Sequence, residues 1–511
     1  MKLLKRVLAP IVRAGSKLKP NKSHLIAFSL GALSVAAFAP LNFSPLMLLT
    51  IAGLFYLWQQ SPAAGDGAKI GFYFGLGFFG FGLSWLFKSM YSYSEVLLPV
   101  SVLLTLGWVV YHGLFLTAAG YLAVKLKRSR TLALLGLFPV LWVLFELLRS
   151  SLFGGYPFLL AGVSHLGSWL DGYAPVFGVW GMSWAVALTA GALVLLYVKR
   201  SWILSSVLIC VLWSVGGLLQ QIQWVQPLGK PIDIALIQGN VPQQIKWSSK
   251  ALTPSLERYV TLTKANLDAD VIVWPETAIA SYLSVVEKGA LSTFIRDAQL
   301  FKKDIVAGVV DGEPDDEKVY NAIVNLGNLE QRYHKRHLVP FSEYFPFHNL
   351  FAPLANLFDI PFSFFSHGDP NQPPLLIGGQ KAGLSICFEM AFGEELARQL
   401  PQASYFITVS NDAWFAHTLE PHQQLEDVQM RALELGREIA RATNTGYTAI
   451  VGVDGKIKAQ IPPYELEALR SEIQPYQGLT PYAEWKWLPI LLLVGLLLLF
   501  TLGGRLLFKR R

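Results

Sequence analysis

Leu384-Ser385-Ile386-Cys387-Phe388-Glu389-Met390 decides how the rest of this chain is read. It is a short apolar run with one thiol inside it and a carboxylate two residues later. Read as a buried strand, it carries Cys387 to the strand's end, where α/β folds present side chains to a pocket. The other cysteine, Cys210, lies within a long apolar run, so the two do not build a disulfide framework. A lone thiol of this kind is either a small buried hydrophobe or a nucleophile. Its neighbours further up the chain bear on the choice.

At 511 residues the chain is long enough for two or more domains. Hydrophobic residues make up 53%, charged residues only 15%, and mean hydropathy is +0.40. A soluble globular chain carries about a quarter charged residues, so much of this one belongs in lipid. The net charge of +7 suggests nucleic acid until its position is considered. Lys2, Lys5, Arg6, Arg13, Lys17, Lys19 and Lys22 precede the first apolar run with no acidic residue among them, and Arg505, Lys509, Arg510 and Arg511 follow the last. These eleven charges exceed the whole surplus, so the basic character belongs to membrane flanks and not to a nucleic-acid surface.

Eight apolar segments predict a polytopic α-helical membrane protein: Leu25–Ala39, Leu46–Trp58, Ile70–Phe87, Leu97–Val124, Leu132–Leu148, Val176–Val198, Ile203–Leu219 and Leu488–Leu502. Several are short for a span of about 20 residues and need tilt or flanking residues. Lys125, Lys127, Arg128 and Arg130 in one loop, Lys199 and Arg200 in another, and both basic termini fall on one side if the count is eight. That pattern places the termini in the cytoplasm. Ala37-Phe38-Ala39 resembles a signal-peptide cleavage site, but Pro40 in the scissile bond argues against cleavage. Glu146 and Arg149, three apart on one helical face, are an intramembrane pair open to a functional or a structural reading. Phe153-Gly154-Gly155-Tyr156-Pro157-Phe158 opens an aromatic outer loop, either an interfacial anchor or part of a lipid entry route, with Tyr156 and Pro157 as candidate substrate contacts.

The expected organisation is a membrane domain over residues 1–220, an outer domain over 221–485 and a final membrane helix over 486–511. In the outer domain apolar runs become short and β-branched: Ile232–Ile237, Val271–Trp274, Ile305–Val310, Ala322–Leu326, Ala382–Ile386, Tyr405–Val409 and Thr448–Val453. Helical stretches, Thr253–Leu267 and Gln423–Thr443, lie between them. Unbroken apolar strands alternating with helices predict a layered α/β domain whose sheets are covered by helices. Asp454-Gly455 signals a hairpin turn.

Three strand ends carry unusual polar residues. Val271-Ile272-Val273-Trp274-Pro275-Glu276 ends in a carboxylate, Tyr333-His334-Lys335-Arg336-His337 is a basic cluster, and the third end is Cys387. Together these give a coherent chemistry. A thiol with a free pKa near ~8.5 needs a base to become a nucleophile. Glu276 can take the proton, and Lys335 with the Phe388 N–H can hold an oxyanion. Taken singly, Glu276 reads equally as a turn residue and Lys335 as a solvated charge. His334, His337, His417 and His422 do not have zinc-motif spacings, and neither metal nor cofactor is expected.

Trp274-Pro275-Glu276, the Tyr333–Phe341 stretch and Ile386–Glu389, in this order, resemble the nitrilase superfamily, which implies an αββα sandwich and a Glu-Lys-Cys triad. The whole chain resembles the bacterial apolipoprotein N-acyltransferases. The residues that carry this are Gln238–Gln243 with Lys246-Trp247, His337–Phe341, Ser410–Phe415 and Gly478–Tyr482. The resemblance implies Glu276 as general base, Lys335 as oxyanion stabiliser and Cys387 as acyl acceptor. It adds Trp247 for substrate contact and Glu343 and Glu389 for support. Ser342 stands where family members often have Gly, and Phe388 where they often have Tyr, so any role for a phenol there is lost. The implied reaction moves an acyl chain from a phosphatidylethanolamine-like donor through a Cys387 thioester to the α-amine of a diacylated lipoprotein. The implied setting is a monomer in the bacterial inner membrane, its catalytic domain periplasmic, with Phe341–Phe365 and the Tyr156–Phe158 loop as a candidate lid. Two rival classes are a membrane-anchored amidase using the same triad and a transporter with a structural outer domain. The first has no need of so many spans, and the second lacks the paired half-repeats of transporters.

Overall fold

The apolar segments of the first half fold as helices because almost every residue in them is apolar and backbone groups in lipid must pair internally. A computed structural model describes residues 21–93, 96–199, 201–314, 316–340, 342–344, 365–415 and 417–507. Helices α1 (Lys22–Ser34), α2 (Pro45–Gln60), α3 (Ala64–Gly82), α4 (Trp85–Tyr93), α5 (Leu98–Leu126), α6 (Phe138–Ser151), α7 (Ala174–Lys199) and α8 (Trp202–Leu219) form a bundle. Among the described residues four helical stretches, Leu98–Leu126, Arg130–Gly154, Trp169–Val198 and Trp202–Leu219, are long and apolar enough to cross a membrane. A fifth results if α3 and the helix after it, bent by 53°, are one span. Lys22–Ala37 and Leu488–Leu502 are apolar but shorter, and α2 has 16 residues. The expected third segment is therefore broken near Leu83. The basic N-terminal tail, Lys509, Arg510, Arg511 and most of the Phe341–Phe365 stretch lie outside the described residues.

The bundle packs through small residues. A Cβ on Gly71 would lie 2.0 Å from the Leu116 carbonyl oxygen of α5, so glycine there is what lets α3 and α5 touch backbone to backbone. The outer face stays apolar: Leu103, Leu106, Ile203, Val207, Leu496 and Leu499 are exposed, as a lipid-facing surface requires.

The outer domain consists of two sheets packed face to face. One has the order β13-β1-β2-β4-β5-β6, built from Glu467–Ile473 (β13), Ile232–Gln238 (β1), Val271–Val273 (β2), Asp304–Asp311 (β4), Tyr320–Asn325 (β5) and Asn328–His334 (β6), with Ile279–Tyr282 (β3) beside β4. The other has the order β12-β11-β10-β9-β8-β7: Ile457–Ile461 (β12), Thr448–Val451 (β11), Ile439–Thr443 (β10), Tyr405–Ser410 (β9), Gln380–Ile386 (β8) and Leu375–Ile377 (β7). Strands β1, β2 and β4 are parallel, as are β8, β9 and β10. Ile234 and Leu236 of β1 meet Leu384 and Ile386 of β8 in the core between the sheets. The alternating Ala235 and Ile237 face outward to Tyr259 of α9 (Ser249–Lys264) and Ile295 of α10 (Ser292–Leu300). Burial on both faces is why these strands are apolar without alternation. The Asp454-Gly455 turn joins β11 to β12 as a hairpin.

One expected helix is shorter than its sequence suggested. Helix α11 (Glu420–Leu435) stops at Gly436, whose left-handed φ of +62° caps it, and the expected helical residues Ile439–Thr443 form strand β10 instead. Buried nearly all round, α11 joins the two halves of the molecule. Gln423 spans the bend after α3, its Nε2 donating to the Gly82 carbonyl at 3.0 Å and its Oε1 accepting from Trp85 Nε1 at 3.1 Å. Glu426 accepts the Ala39 N–H at 2.9 Å. Glu434 accepts the Val179 N–H at 2.7 Å, beside Gly178, whose φ of +67° breaks α7. Polar side chains of α11 thus pair with backbone groups exposed at three breaks among the apolar helices. The chain then returns to the bundle as α12 (Leu488–Leu507).

Replacing Glu434 with alanine strands the Val179 N–H and removes the buried partner of Arg431, 3.0 Å away. The expected loss is about 3 kcal/mol, read as a lowered thermal midpoint of the detergent-solubilised protein. A loss below about 1 kcal/mol would show that water or other groups replace the carboxylate.

Candidate active site

Strand β8 ends in extended conformation at Ile386, and Cys387 turns the chain with a left-handed φ of +54°. For a side-chain-bearing residue that costs on the order of 1 kcal/mol and has to be held by its surroundings. Glu389 holds it. Its Oε2 accepts the Ile386 N–H at 2.7 Å, and its Oε1 accepts the Arg336 N–H at 2.7 Å and the His337 N–H at 3.1 Å. The Tyr333 hydroxyl donates to the same carboxylate at 2.9 Å. One buried side chain therefore ties the thiol-bearing turn of one sheet to the end of β6 in the other.

That strand end carries Lys335, 1% exposed, whose ammonium lies 2.9 Å from Glu343 and 3.5 Å from Glu276. Glu276 follows β2 across Trp274-Pro275, and Thr277 next to it takes a left-handed φ of +46°. Asn321 on β5 donates from Nδ2 to both Glu276 and Glu343 at 2.8 Å, and its carbonyl accepts the Lys335 N–H at 2.8 Å. This asparagine escaped sequence reading because it sits in an ordinary-looking strand, and only the β5–β6 pairing brings it to the two carboxylates. Burial pulls the Lys335 ammonium down, but Glu343 and Glu276 more than reverse this, and Lys335 stays charged. Burial and then the Glu276 charge push the Cys387 thiol well above its ordinary value, against the pull of Lys335. The resting sulfur is a thiol and must hand its proton to a base before it attacks.

On the membrane side the Phe388 ring lies against Phe158 at 6.1 Å and Tyr156 at 5.9 Å, ring centre to ring centre. His337 and Phe392 complete the aromatic group, and Pro157 is buried between Tyr156 and Phe158. Glu146 and Arg149 of α6 are both buried, and among the described residues their hydrogen bonds go to other partners than each other. Instead they grip the loop: Glu146 Oε1 accepts the Ala161 N–H at 2.8 Å, and Arg149 Nη1 donates to the Tyr156 carbonyl at 2.6 Å. The pair expected from sequence is thus two separate anchors of the aromatic loop. Trp247 is half-exposed.

Its neighbour Lys246, unremarked as a charge in the sequence, is 3% exposed and donates to the Glu276 carbonyl at 3.1 Å. Burial lowers its pKa to about 7, against the opposing pull of Glu276 and Cys387. Among the described residues no group of His, Cys, Asp and Glu side chains is arranged to hold a metal ion. The four histidines have other partners: His334 bonds Asp311, His337 bonds Glu395, and His417 and His422 lie against Tyr464 and Tyr447.

Comparison with known proteins gives these features a family. Residues 233–481 match the carbon-nitrogen hydrolase family, so the layered domain is of that class. Residues 30–192 match the apolipoprotein N-acyltransferase N-terminal domain. An apolipoprotein N-acyltransferase of Methylococcus capsulatus is 39% identical over 93% of this chain and 95% of its own length. That of Nitrosomonas europaea is 37% identical over 93% and 96%, and that of Coxiella burnetii 35% identical over 94% and 99%. The chain belongs to the apolipoprotein N-acyltransferase family.

Lys246 gives the site a pH signature. Between about 7 and its ordinary value of 10.5 the unfolded chain binds more protons at this residue than the folded one. Stability therefore rises with pH through that window, and the burial penalty is complete below it. Lys246→Met removes the penalty, so the variant melts above the wild type by a margin that shrinks as pH rises from about 7 to about 9. A constant margin in thermal melts would rule this out.

Proposed function

We propose that this chain transfers a fatty acyl group from a membrane phospholipid to the N-terminal α-amine of a diacylated lipoprotein, through a thioester on Cys387. The single observation that supports it most is the thiol turn itself. One side of it is tied through Glu389 to the strand end that carries Lys335, which pairs with Glu276 and Glu343, and the other rests on an aromatic loop held by helix α6. Hydrolysis of a small soluble amide does not call for a nucleophile seated on the apolar bundle.

In this reading Glu276 takes the Cys387 proton and sulfur attacks the phospholipid ester carbonyl. Lys335 and the Phe388 N–H hold the oxyanion, and the departing alcohol recovers the proton from Glu276. The amine of the acceptor then attacks the thioester, Glu276 takes its proton, and the thiolate leaves. An amine attacks a thioester more readily than an oxygen ester, provided water is kept out meanwhile. The aromatic group around Phe388 supplies that exclusion, and Glu343 and Glu389 keep the lysine and the turn in place. Trp247 contacts substrate from the exposed rim. We assign residues 1–220 and 486–511 to the membrane, with all eight apolar segments crossing it, both termini cytoplasmic and the catalytic domain over 221–485 on the periplasmic side. The protein works as a monomer.

Incubating the purified protein with phospholipid and no acceptor should add the mass of one acyl chain to wild type and none to Cys387→Ala. A diacylated lipopeptide should clear it, and Glu276→Gln should slow adduct formation by about 10³-fold. Free fatty acid without an adduct would mean a hydrolase. Neither product would sink the proposal.

A further inference from the structure

The triad approaches Cys387 from the strand ends of one sheet, while α11 approaches from the other side and contributes a group that the triad chemistry does not use. Gln424, 5% exposed, places its Nε2 3.7 Å from the Cys387 sulfur. The same nitrogen donates to Glu420 Oε1. Its amide is fixed in orientation by what faces the oxygen: Arg441 Nη2 donates to Gln424 Oε1 at 3.0 Å, and the Ser410 hydroxyl lies 3.1 Å from it. A guanidinium has no acceptor, so the atom it faces must be the amide oxygen and the NH₂ group must turn to the sulfur. Arg441 is itself anchored, completely buried, on Asp412 at 2.8 Å.

We propose that Gln424 is a further catalytic residue, whose amide N–H donates to the Cys387 sulfur and stabilises it whenever it carries negative charge. This rests on Cys387 being the nucleophile. The sulfur becomes anionic twice: when Glu276 removes the thiol proton, and when the acceptor amine displaces it. In the second step the C–N bond forms, the C–S bond breaks, and its electron pair returns to sulfur while the amine proton goes to Glu276. Lys335 and the Phe388 N–H are occupied with the carbonyl oxygen in both steps, which leaves the sulfur to Gln424. A donor is needed there, because burial and the charges of Glu276, Glu420 and Asp412 all oppose a thiolate, with Lys335 and Lys246 the nearby cations. Burial and then Asp412 push the Glu420 carboxyl above the usual carboxylate range.

The test is the pH dependence of Cys387 alkylation by iodoacetamide, with mass readout, in a Cys210→Ala background because Cys210 is exposed. Gln424→Met keeps the length and loses the donor. Gln424→Glu keeps the shape and the Arg441 partner but turns an oxygen to the sulfur. Both should raise the midpoint, the methionine variant by about one pH unit, so that alkylation below the midpoint slows about tenfold. The glutamate variant should move further. Release of a preformed acyl chain to a diacylated lipopeptide should slow by a similar factor. If the methionine variant does not fold, the glutamate variant carries the test. An unchanged midpoint in a folded variant would overturn the proposal and leave Gln424 a packing residue. Alkylation needs no lipid, so failure of the acyl-transfer reading would show separately, as the absence of an acyl adduct on wild type.

Discussion

A single helix, α11, bears on both halves of this molecule, and the constraint it obeys is that no backbone polar group be left unpaired in an apolar setting. Membrane helices that break at Gly82 and Gly178 expose N–H and C=O groups where water is absent. Gln423 and Glu434 fill those vacancies, and one residue on from Gln423 the same helix turns Gln424 to the Cys387 sulfur. The same helix therefore links the apolar bundle to the surroundings of Cys387.

The site answers the same constraint from the other direction. Five ionisable groups, Glu276, Lys335, Glu343, Glu389 and Cys387, come together with little contact with solvent. Unpaired, each would be costly to bury; together they balance. Lys335 stays charged because two carboxylates face it, and the thiol stays protonated because burial and Glu276 outweigh that lysine. The result is a thiol that is quiet at rest, which suits the proposed reaction, whose intermediate must wait for a second substrate.

The aromatic loop shows how the bundle contributes to the chemistry without entering it. Glu146 and Arg149 hold the loop at Ala161 and Tyr156, and the loop presents Tyr156 and Phe158 to the ring next to the nucleophile. Two buried ionisable side chains of α6 thus serve as clamps, each bonded to backbone.

Much of this was legible in the chain. Short unbroken apolar strands alternating with helices specify a layered α/β domain, and the residues at three of their ends marked where to look for a site, because strand ends are where such a fold opens to a pocket. Apolar runs likewise marked the helices of the bundle, though among the described residues only four, or five with the bent pair, are long and apolar enough to cross a membrane. Other features were set only in three dimensions. Asn321 looks like any strand asparagine until β5 pairs with β6, and Gln424 like any polar helix residue until α11 is buried on every side. The end of α11 was missed because Gly436 caps the helix while the residues after it keep an apolar pattern that only pairing with β9 and β11 converts to a strand. Local sequence determines which residues can do chemistry and which must avoid water. Hydrogen-bond partners far apart in the chain are chosen by packing, and tertiary structure alone decides them.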